Sequence, residues 1–282
     1  MQLVTHPDGP ALLRTAGAWL VQAEAEHCYL LGTCSAPRTG AAGPGRLFLT
    51  LEDAGGTVGA ALQVPPGPLV VSTMPEAAVA LLVRWLKEQG ARPTHVAGPT
   101  SAVEHFAARW AEYGGGRAVP VMGQGVYALT RVTLPPRMPK GTLREAEARD
   151  GALLGDWAEA FAQESGLPEA EQRSMRSASA GWISDRLVWV WELEGRPVSM
   201  AVVQGPTPHG IRVGMVYTPP ASRGRGHASA LVAAVSQRQL DLGRRACFLF
   251  TNLANPTSNG IYQAVGYVQV GESKLVRLEP PA

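Results

Sequence analysis

The sequence predicts a mixed α/β fold, an α+β-type mixed sheet built as two tandem domains. Three observations carry this. Short apolar runs suited to strands alternate with longer amphipathic stretches suited to helices. A proline-rich break, Pro135-Pro136-Arg137-Met138-Pro139, divides the 282 residues near the middle and reads as a linker. On its far side the same order of elements begins again, although few residues are shared between the halves.

In the first half, Leu12, Leu13, Ala16, Leu20 and Ala23 recur at helical spacing, predicting a helix over Pro10 to Glu26. The apolar run Cys28 to Cys34 predicts a short strand, and the Gly/Ala/Pro-rich Arg38 to Gly45 a loop. Leu47 to Glu52 and Thr57 to Val64 form a hairpin around Asp53-Ala-Gly-Gly56, and Leu69 to Ser72 is a further strand after Pro65-Pro66-Gly67-Pro68. Pro75 to Gln89 is a helix with Val79, Leu82, Val83 and Leu86 on one face, ended by Gly90. Thr94 to Ala97 is a strand, Ser101 to Tyr113 a helix, and Ala118 to Met122 and Val126 to Leu134 two closing strands.

After the linker, Leu143 to Glu145 is a short strand. A helix over Asp150 to Gln163 is capped by Asp150, with Leu153, Leu154, Trp157 and Phe161 on its buried face. A more polar helix, Pro168 to Ser179, precedes a hairpin of Leu187 to Leu193 with Val198 to Gln204. Tyr267 to Val270 and Lys274 to Leu278 are the last strands.

Between them lies the stretch that carries chemistry. A β-like run, Arg212 to Tyr217, breaks at Pro219-Pro220 and turns through Arg223-Gly224-Arg225-Gly226. It then enters a helix with Ala228, Leu231, Val232, Val235 and Leu242 on one face, closed by Gly243. Strand, glycine turn and helix N-terminus hold phosphate. The glycines let backbone N–H groups point inward without Cβ clashes, the first helical turn has unpaired donors, and the macrodipole favours negative charge. Arg223 and Arg225 add charged donors. The turn lacks the Gly-Lys-Ser/Thr end of a P-loop and the Gly-x-Gly-x-x-Gly spacing of a dinucleotide fold. Downstream come the apolar run Ala246 to Thr251 and then Asn252-Leu-Ala-Asn255-Pro-Thr-Ser258-Asn259-Gly-Ile-Tyr262-Gln-Ala-Val-Gly266-Tyr267.

Arg223-x-x-Gly226-x-Ala228 resembles the Gln/Arg-x-x-Gly-x-Gly/Ala signature of the GNAT acyl-CoA N-acyltransferases, and the Asn-to-Tyr segment resembles that family's second signature. The resemblance covers about residues 141 to 279 and implies two tandem GNAT-like domains, the N-terminal one degenerate: 1–134, a linker at 135–140, and a catalytic 141–282. It implies acetyl-CoA as cofactor, gripped at the pyrophosphate by Arg223, Gly224, Arg225, Gly226, His227 and Ala228. Backbone groups of Val216, Tyr217 and Thr218 would pair with the pantetheine arm, and Asn255 and Ser258 would contact it. Tyr262 would lie near the sulfur as general acid; the alternative is an aromatic that only packs the short helix. Asn252, Asn255, Ser258 and Asn259 also suit turns and helix N-caps. In the first half, Thr73 to Ala78 contains neither Arg nor Gly, and Glu76 opposes phosphate, so only the second half is expected to hold CoA.

The family's Glu on or beside the fourth strand is missing from Ile211-Arg-Val-Gly-Met-Val-Tyr217. Glu164, Glu192 and Asp185 are the substitutes from the substrate side, and His227 is expected to be a solvated loop residue rather than a base. Met215 and Tyr217 suit either pocket or core. The function expected is acetyl transfer to a primary amine of a small molecule or amino acid. Its alternatives are transfer to peptide or protein amines, or a non-catalytic acyl-CoA sensor. A net charge of +2 with scattered Lys and Arg argues against a nucleic-acid surface. No apolar run suits a membrane span or a secretory signal, and Cys28, Cys34 and Cys247 show no metal spacing, which favours a cytoplasmic monomer or homodimer without a metal.

Overall fold

A computed structural model describes residues 1–35, 45–166 and 169–280. Twelve strands form one sheet: β1 (Gln2–Thr5), β2 (Leu47–Asp53), β3 (Gly56–Gln63), β4 (Leu69–Val71), β5 (His95–Pro99), β6 (Arg117–Leu129), β7 (Thr142–Glu145), β8 (Val188–Leu193), β9 (Arg196–Gln204), β10 (Gly210–Tyr217), β11 (Ala246–Asn252) and β12 (Val268–Glu279). Their order across the sheet is β1-β2-β3-β4-β5-β12-β6-β11-β10-β9-β8-β7. Read from either end, this is the same arrangement. Each half lays down four strands from the rim inward, joined antiparallel, then a fifth parallel to its fourth.

The last strand of each half crosses over. β6 hydrogen-bonds to β11 of the second half, β12 to β5 of the first, and the two pair with each other from Val268↔Ala128 to Glu279↔Arg117. The sequence suggests two short strands at each of these places, and both are one long strand. Gly123 and Gly125, which look like a break, are strand residues beneath neighbours. A Cβ on Gly125 would come within 2.6 Å of the Tyr127 ring, and one on Gly123 within 3.8 Å of Leu253.

The helices are α1 (Gly9–Leu20), α2 (Glu24–Ser35), α3 (Glu76–Glu88), α4 (Thr100–Glu112), α5 (Gly151–Glu164), α6 (Glu169–Ser184), α7 (His227–Asp241) and α8 (Pro256–Val265). In each half one helix pair covers each face of the sheet. Thus Ala61 packs in the α3/α4 core while Ala60 and Leu62 pack under α1 and α2; Ala201 and Val203 pack under α7, while Met200 and Val202 meet α5. This is the strand alternation expected of a sheet buried on both sides.

The strand expected over Cys28 to Cys34 is instead the helix α2, and the preceding helix ends at Leu20. α2 is wedged between the halves: Leu30, Leu31 and Cys34 face the first-half core, while Cys28 packs on Ala246 and Phe248 of the second. Buried on two sides, it has no polar face, and a short apolar run of that kind reads equally as a strand. Its backbone lies so close to the second half that a Cβ on Gly32 would sit 2.5 Å from Gly205 Cα. Glu24 accepts from the His209 backbone N–H (2.8 Å) and contacts the His209 ring at 2.9 Å.

Three smaller expectations also change. Asp150 does not cap α5 with its side chain; it accepts from the Glu147 N–H and pairs with Arg144 at 2.6 Å, which holds its carboxyl below the usual range. Leu242 projects into solvent rather than onto the buried face of α7. β1 has no counterpart in the sequence reading, and most of the expected Arg38–Gly45 loop, with the start of the expected Pro168 helix, lies outside the described residues.

The crossing strands make the halves interdependent. Residues 141–282 expressed alone lack β6, so both neighbouring edges, on β11 and β12, carry unpaired backbone groups. That fragment is expected to aggregate, and co-expression with residues 1–140 to return it to soluble, folded material by size exclusion and circular dichroism. A soluble, cooperatively unfolding 141–282 fragment would refute this.

Candidate active site

β10 and β11 run parallel but pair only from Gly210↔Ala246 to Arg212↔Phe248. Both strands continue beyond, to Tyr217 and Asn252, with a gap opening between them. A bulge deepens it. Gly214 lies opposite Val202 but Tyr217 opposite Met200, so β10 holds one extra residue, and Met215 takes the left-handed conformation at φ 48°. Met215 and Val216 are thereby out of register with β9.

The chain then passes a 3-10 turn (Pro220–Ser222) and reaches Gly224 and Gly226, both left-handed at φ 73° and 79°. Space is not what requires glycine there: a Cβ on Gly226 would meet only Pro139, at 3.9 Å, and one on Gly224 nothing within 4 Å. The backbone conformation requires it. Gly226 caps α7 without a side chain, so the first-turn N–H groups of a long helix are open to a ligand.

Gap, turn and helix end share one cavity of about 630 Å³. Of the cofactor-binding residues and general acid expected from the sequence, all but Arg225 line it: Val216, Tyr217, Thr218, Arg223, Gly224, Gly226, His227, Ala228, Asn255, Ser258 and Tyr262. Of the three substitute acids, Glu164 lines it, whereas Asp185 and the Arg144-paired Glu192 do not. Phe161, Ser165, Ser222, Thr257 and Ile261 also line it. Phe161 and the C-cap Ser165 come from α5, which only tertiary packing brings to the wall, while Ser222, Thr257 and Ile261 neighbour residues the sequence already marks.

The polar groups around the cavity are in distinct states. His227 is not solvated: it is buried at the start of α7, its Nδ1 has no partner, and burial with Arg225 nearby lowers its pKa, so it is neutral at pH 7. Asn255 caps α8 by accepting from Ser258 N–H at 3.1 Å, while Asn259 donates to the carbonyls of Asn252, Leu253 and Asn255. Ser258 and Asn259 are therefore not the caps. Asn252 accepts from Ala254 N–H, as in an Asx turn. Tyr217 is both core and wall, its ring 6.2 Å from Trp157 and its hydroxyl donating to Glu164 at 3.1 Å. Met215 is partly buried against the α5/α6 core.

Tyr262 lies edge-on to Tyr267 at 6.0 Å, and its hydroxyl has no hydrogen-bond partner among the described residues. Burial pushes it up to about 12. Burial raises the protein's thiols as well: Cys34 and Cys247 are pushed up to about 12 and Cys28 to about 11.

The first half has no such cradle. At its equivalent strand junction, a Cβ on Gly98 would come within 2.4 Å of Val71 O. After β4, Thr73 N–H donates to His27 Nε2 and its hydroxyl to Glu26. Glu76 opens α3 and pairs with Arg109 at 2.6 Å. No group of His, Cys, Asp and Glu suited to a metal is found among the described residues, and no helix of the described residues is long and apolar enough to cross a membrane.

Residues 154–267 match the acetyltransferase (GNAT) family. The second half is therefore similar to the GNAT acetyltransferases. Over its whole length it is similar in fold to solved structures of low identity. One is a Drosophila protein (TM-score 0.66, 13% identity, 100% of both chains covered). Another is a GCN5-related N-acetyltransferase from Sphaerobacter thermophilus (0.64, 19%, 99% of this chain and 97% of that one). A third is a tandem GNAT protein from the clavulanic acid biosynthesis pathway (0.52, 14%, 100% of both). The GNAT family model reaches only the second half, while the fold match spans both, so the arrangement is tandem. No curated protein matches the sequence.

Two glycines of this GNAT half separate conformation from packing. Gly226→Ala forces an L-residue to φ 79° and is expected to destabilise by about 1–2 kcal/mol. Gly260→Ala, inside α8 with open space around it, is expected to stabilise by about 0.5–1 kcal/mol. Urea unfolding of both variants checks the opposite signs.

Proposed function

We propose that the protein is an acetyl-CoA-dependent N-acetyltransferase acting on a primary amine of a small molecule or amino acid. Division into 1–134, a linker at 135–140 and a cofactor-binding 141–282 is part of this reading. The observation that carries it is the parting of β10 and β11 into a gap that ends at a helix N-terminus with no side-chain cap, with Tyr262 on the opposite wall. The residues fit acetyl-CoA. Open first-turn N–H groups and left-handed glycines suit a pyrophosphate, and an unpaired strand edge suits the amides of a pantetheine arm.

When bound, acetyl-CoA supplies a thioester-activated acetyl group. The protein's share is placement and proton management. Backbone of Val216 to Thr218 orients the extended arm, and a backbone N–H of the bulged strand is the donor for a developing oxyanion. Tyr262 Oη keeps its proton at neutral pH and is the donor for the departing sulfur. β10 carries no carboxylate, so an amine reaches the site neutral or loses its proton to water or to the one acid on the cavity wall, Glu164. Free, buried cysteines suit a reducing compartment such as the cytoplasm.

Tyr262→Phe removes only the hydroxyl. With acetyl-CoA and a panel of small primary amines, followed by release of free thiol, kcat is expected to fall about 10²–10⁴-fold while CoA affinity holds. Lost affinity with kcat intact would make Tyr262 a packing residue. Absence of turnover in the wild type, with CoA still bound, would favour an acyl-CoA sensor.

A further inference from the structure

The acidic residue on the cavity wall is already engaged. Glu164, the last residue of α5, reaches across the mouth and places both carboxylate oxygens on Arg223 Nη2, at 2.8 and 2.7 Å, while its Oε1 also accepts from Tyr217. It is the sole acid among the lining residues, and Arg223 belongs to the phosphate turn. Resting on the acetyl-CoA reading above, we propose that Glu164 is a displaceable counter-ion for Arg223. It competes with cofactor phosphate and is released into the cavity as the acceptor amine's carboxylate only once cofactor is in place.

Of the two partners, Arg223 is the fixed one. Its Nε donates to Thr218 O at 2.8 Å, and its guanidinium lies 5.6 Å from the Tyr217 ring centre. Glu164 sits at the C-terminus of its helix, where the macrodipole disfavours a carboxylate, so little beyond Arg223 and Tyr217 holds it there. Both side chains are about half exposed (47% and 48%), and ion pairs so exposed are weak. A pyrophosphate, with more charge and more acceptor oxygens, takes the guanidinium from a single carboxylate. The freed carboxylate, beside the Tyr217 hydroxyl, is a site for an amine that arrives as an ammonium ion. Cofactor-first binding follows from the exchange.

A double-mutant cycle tests this, by titrating CoA calorimetrically into wild type, Glu164→Gln, Arg223→Ala and the double variant. Glu164→Gln is expected to bind CoA about two- to five-fold more tightly, the range an exposed ion pair allows. Arg223→Ala should bind more weakly, and Glu164→Gln should bring no gain in the Arg223→Ala background. In steady-state assays with saturating acetyl-CoA and the amine panel, Glu164→Gln should raise the amine KM without raising that of acetyl-CoA. Weaker CoA binding by Glu164→Gln, an equal gain in both backgrounds, or an unchanged amine KM overturns the proposal. If wild type binds CoA but acetylates no amine, the transferase reading fails while the CoA cycle still decides the exchange.

Discussion

The structure depends on the mutual pairing of β6 and β12 at the centre of the sheet. Each half supplies one strand that its own fifth strand does not bind, and each accepts the other's in return. Backbone groups of β5 and β11 are satisfied only by this exchange, and a buried strand edge left without partners is expensive. Two units that elsewhere could drift apart are thus locked into one twelve-stranded sheet. α2, seated on both cores through Cys28 and Leu31, seals the same seam on one face.

That lock allows the halves to diverge. The first half is held by its partner whatever the form of its own strand junction. Its junction between the fourth and fifth strands is shut by the close approach of Gly98 to Val71, and the donors after β4 are spent on His27 and Glu26. In the second half the same junction opens, because β10 bulges at Met215 and β11 keeps its straight course beside β6. One extra residue in β10 accompanies an open cavity where the first half has a packed interface.

Around that cavity the charges are sparse and paired with each other. His227 and both tyrosines are neutral at physiological pH, burial moving each further from its charged form, and the single carboxylate on the wall is committed to the single lining arginine. The one ion pair on this wall is half-exposed and therefore weak. The site keeps the chemistry in groups whose protonation is set by desolvation rather than by neighbouring charge.

By itself the sequence determined the mixed α/β class, the two-fold repeat of elements, the glycine turn from Arg223 to Gly226 and the short helix of the Asn-to-Tyr segment. These depend on local rules: periodicity, glycine where φ is positive, and motif spacing within one strand-turn-helix unit. It missed α2, because a helix buried on two sides loses the amphipathic pattern that identifies helices. The strand exchange was also hidden, since partner choice between distant strands leaves no mark on either. Tertiary structure alone brought Phe161 to the wall, selected Glu164 over Glu192 and Asp185, turned His227 inward and placed Glu164 on Arg223. Those relations join residues of different elements, and only packing of the elements sets the distances between them.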